Sequence, residues 1–324
     1  MSQTFLTFLL FLIPFVIFAA LTVLAFRIPR PVIKWITVVL AGFLTLIFGL
    51  ATILGAIALV KLNSPQPNPV STIKASASPQ ELARMQRYAI LCGDCHSSNH
   101  TAVLDGGAEN SVPDFLATIY APNLTPGGPL KNWSDGEIVR AIREGVGRDG
   151  KPLAVMPSEA FHNMSDTDVA ALVAYLRSQP AVNHETPATG LAPLGMLLMG
   201  AGQVSTSAQP PISGPIVGVP AGVTMEYGKY MTDILGCRDC HGADLAGGTP
   251  GGNGPPPGPN LTVLAPKWSE ADFIKTIRTG TDPTGHQLDP EGMPWKSYSA
   301  ALTDDELRAL YMYLHSLPPV VRQQ

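Results

Sequence analysis

Cys92-Gly-Asp-Cys95-His96 and Cys237-Arg-Asp-Cys240-His241 hold all four cysteines of this 324-residue chain. In a C-x-x-C-H pattern two thiols can add to the two vinyl groups of one haem while the adjoining His reaches the iron. Each stretch therefore reads as a c-type haem attachment site. Two C-x-x-C pairs could instead build a tetrahedral zinc site, but a His directly after both pairs has no place in that reading. A thioredoxin-like dithiol wants a βαβ setting, which the sequence lacks. A disulfide within C-x-x-C would close too short a loop to contribute much stability.

The sequence around the two motifs repeats in order. Pro122-Asn-Leu-Thr125 answers Pro259-Asn-Leu-Thr262. Trp133-Ser134 answers Trp268-Ser269, and each pair opens a helical pattern that ends near Gly145 or Gly280. Met156-Pro157 answers Met293-Pro294. Ser165-Asp-Thr-Asp168 answers Thr303-Asp-Asp-Glu306, a capping-box-like start for a last helix that stops before Pro180 or Pro318. Duplicated domains are expected at 80–182 and 223–324, each of short helices joined by glycine-rich loops. A Pro/Gly-rich connector covers 183–222. Its apolar patch, Leu191 to Ala201, is too short to span a bilayer and is expected to pack within the protein at the domain interface, or else against a partner or membrane surface.

Electron carriers keep both axial positions of the iron filled, which asks for a sixth ligand in each repeat. Met156 and Met293 precede Pro and hold the same place in the repeat, so with His96 and His241 they are the expected iron ligands. His/Met ligation is typical of electron-transferring cytochromes. Met164 is the rival in the first repeat, and His100, His162 and His286 rank lower. Asp289 and Glu291 near Met293 would favour ferric iron, so the second haem is expected to have the lower potential.

Ahead of the repeats, Thr4 to Phe26 and Trp35 to Val60 are apolar runs of 23 and 26 residues. A bilayer core about 30 Å thick needs about 20 helical residues, so residues 1–61 read as a two-pass anchor. A cleaved signal peptide would want a basic residue ahead of the first run, and none is there. Arg27, Arg30 and Lys34 in the short connection place the turn inside, leaving the remainder outside; Lys61 alone opposes this. Residues 62–79, rich in Pro and Ser, read as a linker. Residues 80–324 carry 16 of the 21 basic residues against all 25 acidic ones. That balance argues against nucleic acid and anionic lipid as partners.

Tyr175 and Tyr313 stand at equivalent points of the last helices, and Ala83 and Gly228 stand nine residues before each motif. With the attachment motifs, these make both segments resemble class I cytochrome c domains. The resemblance implies an all-α fold: an N-terminal transmembrane helical hairpin followed by two tandem class I cytochrome c domains. In that family a small residue on the first helix lets an aromatic of the last pack closely across it. Tyr120-Ala-Pro-Asn-Leu-Thr-Pro126, Ile138-Val-Arg-Ala-Ile-Arg-Glu-Gly145 and Met293-Pro-Trp-Lys-Ser-Tyr298 are similar to cytochrome subunits of membrane-bound alcohol and aldehyde dehydrogenases. The layout is also similar to the dihaem subunit of haem-copper oxidases.

The expectation is a cytochrome with two covalently bound haem c groups, anchored in the cytoplasmic membrane of a bacterium. Its cytochrome domains would lie on the periplasmic side and relay single electrons between redox partners of a respiratory or photosynthetic complex. No catalytic residue is assigned. A dihaem peroxidase would need one open iron and an acid/base group, and a haem-based sensor would need a cytoplasmic output domain. Carbon monoxide binding to the reduced protein separates these readings.

Overall fold

The computed structural model describes residues 3–248 and 257–321. The last three residues of the expected second domain, and its 249–256 segment, lie outside the described residues. The chain forms two compact units: Met1–Pro65 with Glu109–Ala121 and Pro187–Thr206, and Gln66–Ala108 with Pro122–Thr186 and Ser207–Gln324.

The first unit is built on α1 (Gln3–Ala25) and α2 (Pro31–Asn63), both long and apolar enough to cross a membrane. They lie side by side because α2 turns its small residues inward. Ala41, Gly55 and Ala58 are buried, and a Cβ at Gly49 would come within 3.2 Å of the Phe15 ring. Close approach over small residues is how helices associate where lipid removes the hydrophobic drive. Thr22 and Thr45 bond across the pair at 3.3 Å, and Phe18 stacks on Phe48. The large side chains Leu10, Phe43, Leu46 and Leu50 point outward and are exposed. An apolar exterior of this length suggests membrane anchoring.

Two later segments complete this unit. β1 (Ala117–Thr118) pairs antiparallel with β2 (Gly190–Leu191), and α7 (Pro193–Gly200) follows. This α7 is the apolar patch of the connector, and it packs on the hairpin rather than between the two repeats. Met196 and Met199 are fully buried. The Met196 sulfur lies 3.2 Å from where a Gly55 Cβ would stand, and Gly200 presses on the Leu54 carbonyl. The Lys61 ammonium donates to the Met199 carbonyl at 2.8 Å, where the negative end of a helix favours a cation.

The second unit holds both repeats. The first comprises α3 (Pro79–His96), α4 (Asp135–Glu144), α5 (Ser158–Phe161) and α6 (Asp166–Ser178). The second comprises α8 (Met225–Ile234), α9 (Cys237–His241), α10 (Leu261–Leu264), α11 (Glu270–Thr279), α12 (Trp295–Ala301) and α13 (Asp304–Ser316). The helix starts follow the sequence. Capping boxes form at Ser134/Glu137, Ser269/Asp272 and Thr303/Glu306, and the Ser165 hydroxyl accepts from the Asp168 N–H. α4 and α11 end on Gly145 and Gly280, at φ 62° and 67°, a left-handed turn that suits glycine.

Parts of the linker and of the connector are tied down by hydrogen bonds. The Gln66 N–H donates to Gly150 O at 2.8 Å, Ala75 N–H to the Asp135 carboxylate at 3.0 Å, and Ser76 N–H to Ala170 O at 3.3 Å. The buried carboxylate of Glu144 accepts from the Asn68 amide at 2.6 Å and the Ile212 N–H at 3.1 Å. Residues 66–76 of the expected linker and 207–212 of the expected connector thus run along the first cytochrome domain, because a buried Glu144 needs donors and these straps supply them. The segment 109–121 within the first repeat belongs to the other unit.

The two repeats share one continuous core, joined by a quasi-symmetric exchange. Tyr88 of α3 donates to Glu306 of α13 at 2.6 Å, and Tyr230 of α8 donates to Asp168 of α6 at 2.5 Å. Both carboxylates occupy the third position of a last helix. Gly228 shows the close crossing expected in the second domain, since a Cβ there would fall 1.9 Å from the Ala309 carbonyl and 3.0 Å from the Tyr313 Cβ.

Candidate functional site

α3 runs unbroken through the first C-x-x-C-H motif. In the second repeat Gly236, at φ 71°, breaks the helix before α9 begins at Cys237. The first of the two residues between the cysteines is accommodated differently in the two repeats. Gly93 sits against the Thr101 carbonyl with no room for a Cβ. Arg238 instead reaches out to Asp233 at 2.7 Å and to Ala243 O. None of the four cysteines is held in a disulfide, and burial pushes the pKa of the Cys92 and Cys237 thiols up to about 12. Among the described residues, no three His, Cys, Asp or Glu side chains gather as a metal-binding group, so the zinc arrangement is not assembled.

Each motif histidine is buried and held in the same way. His96 Nδ1 lies 2.9 Å from Pro122 O, and His241 Nδ1 lies 2.8 Å from Pro259 O. A neutral imidazole whose Nδ1–H donates to a carbonyl has its lone pair on Nε2, the usual arrangement for a metal-ligating His. Burial lowers the pKa of both histidines, which favours that neutral form. A Cβ at Gly258 would stand 2.7 Å from the His241 ring, so bare backbone fixes the plane of that imidazole.

The Pro-Asn-Leu-Thr repeat now has a physical role that its recurrence signalled but did not explain. Asn123 Oδ1 accepts from Thr125 Oγ1 at 2.7 Å while its amide donates to Val182 O at 2.8 Å. Asn260 Oδ1 accepts from Thr262 Oγ1 at 2.7 Å while its amide donates to Val320 O at 2.7 Å. Each Asn ties its loop to the chain beyond the last helix and so aims the preceding Pro carbonyl at the histidine.

The two Met-Pro stretches share one backbone form. Ser158 N–H donates to Met156 O at 2.7 Å and Trp295 N–H to Met293 O at 2.6 Å, with Pro157 and Pro294 both near φ −75° and ψ 50°. Met156 and Met293 are both partly exposed, and Met293 packs against the edge of the core. Met164 is different. It lies buried in the core directly before the last helix, and the residue in that place in the second repeat is Leu302, equally buried. A leucine fills the role, so no thioether is needed there. Among the other rivals, His100 and His286 are exposed, and His162 Nδ1 pairs with Arg143 O at 2.9 Å. Each repeat thus supplies paired thiols, a carbonyl-oriented histidine and a matched methionine, the donor types that a haem c would use.

Comparison with known proteins agrees with this geometry. Residues 226–318 match the family "Cytochrome c", and residues 80–176 match "Cytochrome C oxidase, cbb3-type, subunit III". A nicotinate dehydrogenase subunit of Pseudomonas putida is 32% identical over 261 residues, covering 75% of this chain and 22% of the relative. The "Fructose dehydrogenase cytochrome subunit" of Gluconobacter japonicus is 26% identical over 292 residues, covering 83% and 59%. The "Alcohol dehydrogenase (quinone), cytochrome c subunit" of Gluconacetobacter polyoxogenes is 29% identical over 276 residues, covering 75% and 57%. The chain thus spans less than two thirds of the length of each of these relatives.

Proposed function

We propose, from the premise that residues 80–176 and 226–318 are two cytochrome c domains, that this chain is the electron-relay subunit of a membrane-bound dehydrogenase complex. It would carry two haem c groups, take single electrons from a catalytic partner and pass them to a terminal acceptor on the outer face of a bacterial cytoplasmic membrane. Bound haem c supplies a one-electron iron couple, and two cytochrome c domains imply such covalent haem. The relatives named as cytochrome subunits of fructose and alcohol dehydrogenases support the assignment to a complex.

The observation that carries this reading is the repetition of the His–Pro carbonyl pairing, at 2.9 and 2.8 Å. We assign thioether attachment to Cys92, Cys95, Cys237 and Cys240, and axial ligation to His96 with Met156 and His241 with Met293. The two Pro carbonyls orient the histidines, and the shared core limits movement around each site. Filled axial positions suit a carrier rather than a peroxidase.

Denatured chain should keep the mass of two haems, one on each half after proteolysis between the domains. Haem released by acid acetone, or a mass equal to the bare polypeptide, sinks the assignment. Sidedness has its own test. A cysteine placed by Ile28→Cys, in the turn between α1 and α2, should resist an impermeant maleimide in intact spheroplasts and react after lysis, while Val217→Cys reacts in both. Labelling of Ile28→Cys from outside reverses the orientation.

A further inference from the structure

α7 is apolar around its whole circumference: Pro-Leu-Gly-Met-Leu-Leu-Met-Gly. Gly195, Met196, Met199 and Gly200 form its buried face. Pro193, Leu194, Leu197 and Leu198 form the other, with Leu194 exposed. Phe115, from the turn whose Leu116 carbonyl contacts Gly195, is 62% exposed beside it. No Asp, Glu, Lys or Arg occurs between 187 and 206. A helix with no polar face needs apolar surroundings on both sides, and the hairpin supplies only one.

The level of this helix along the hairpin is marked. Lys61 places its ammonium on the C-terminal carbonyl of Met199, and Gly55, which meets Met196, lies six residues inward. That separation is about 9 Å of helix, within the roughly 5–10 Å to which interfacial helices sink into the headgroup and acyl boundary. The outer face of α7 is thus continuous with the apolar exterior of the hairpin at the same depth.

We propose that α7 and the Phe115 turn form a lipid-facing surface, seated in the bilayer interface on the side where Lys61 emerges. This rests on the reading of α1 and α2 as a membrane anchor. The extramembrane chain is then held to the membrane at a second place beyond the end of α2.

The test uses purified full-length haem-loaded protein in phosphatidylcholine–phosphatidylglycerol nanodiscs. Single variants Leu194→Cys and Phe115→Cys are labelled with a charged maleimide, with rates taken above the parent chain's background. Leu46→Cys, 74% exposed on α2, reports lipid, and Val217→Cys, 84% exposed, reports water. Labelling at Leu194→Cys and Phe115→Cys should be many-fold slower than at Val217→Cys, and a benzophenone attached at Leu194→Cys should capture phospholipid. Rates equal to Val217→Cys with Leu46→Cys still protected overturn the lipid surface alone and leave that face to a protein partner. Fast labelling at Leu46→Cys as well removes the anchor reading and this inference together.

Discussion

Exchanging Met293 for His is expected to lower the potential of the second haem by on the order of 0.1 V or more, within the roughly 0.8 V over which axial ligation moves haem potentials. Thioether sulfur favours ferrous iron and imidazole does not. Met156→His should act in the same direction on the first haem. Met293→Ala and Met156→Ala should each open one iron to carbon monoxide. Met164→Ala should leave both spectra and both potentials intact, and should cost stability by about 2–5 kcal/mol as a truncated core residue. Spectroelectrochemical titration of the variants decides the assignment. A change in the first haem with Met164→Ala, and none with Met156→Ala, assigns Met164 instead.

If the two domains folded separately, each substitution would leave the other haem nearly untouched. The shared core alters that expectation. Ser297, four residues beyond Met293, donates to Asp94 inside the first attachment motif at 2.9 Å. A change at Met293 should therefore shift the first haem measurably, though by less than the second. Asp289 and Glu291 are exposed, where solvent and salt screen their charge. Their lowering of the second potential is correspondingly small.

Much of this architecture was legible because it depends on short-range chemistry. Ser134, Ser269 and Thr303 cap their helices through residues three positions on, and Gly145 and Gly280 end theirs, so the signal and its effect lie within one turn. The attachment motifs carry their meaning in five residues. What escaped depends on contacts distant in sequence. Asn68 reads as part of a polar linker, yet it is buried on Glu144, 76 positions away. The patch at Pro193–Gly200 has no neighbour in sequence to indicate that it would rest on Gly55. The Pro122 and Pro259 carbonyls are backbone atoms, and only the matched recurrence of Pro-Asn-Leu-Thr hinted that the loop carried a duty. Tyr88 and Tyr230 do not correspond in the repeat numbering, so the exchange they make between the domains left no trace in the sequence match.

That exchange supports a second large effect, at Asp168. Its buried carboxylate accepts from Tyr230 Oη at 2.5 Å and pairs with Arg84, whose side chain is 16% exposed. Glu306 holds the equivalent place, accepting from Tyr88 at 2.6 Å and from Arg87 at 3.2 Å, but the Arg87 side chain is 36% exposed. Removing one partner of a buried ion pair costs about 3–5 kcal/mol because the other charge is left uncompensated. Removing the partner of an exposed cation costs far less. Asp168→Ala should therefore destabilise the haem-loaded protein by about 3–5 kcal/mol. Glu306→Ala should cost about 1–3 kcal/mol, for the hydrogen bonds it accepts from the Tyr88 hydroxyl and the Thr303 N–H. Replacing both members of the buried pair, with Arg84→Met and Asp168→Leu together, should recover part of the loss, since no stranded charge remains. Urea denaturation followed by the haem spectrum and by far-ultraviolet dichroism measures all three. A Glu306→Ala loss larger than that of Asp168→Ala, or a double variant no more stable than the single, contradicts the view that Arg84 is the charge Asp168 must compensate at the junction of the two domains.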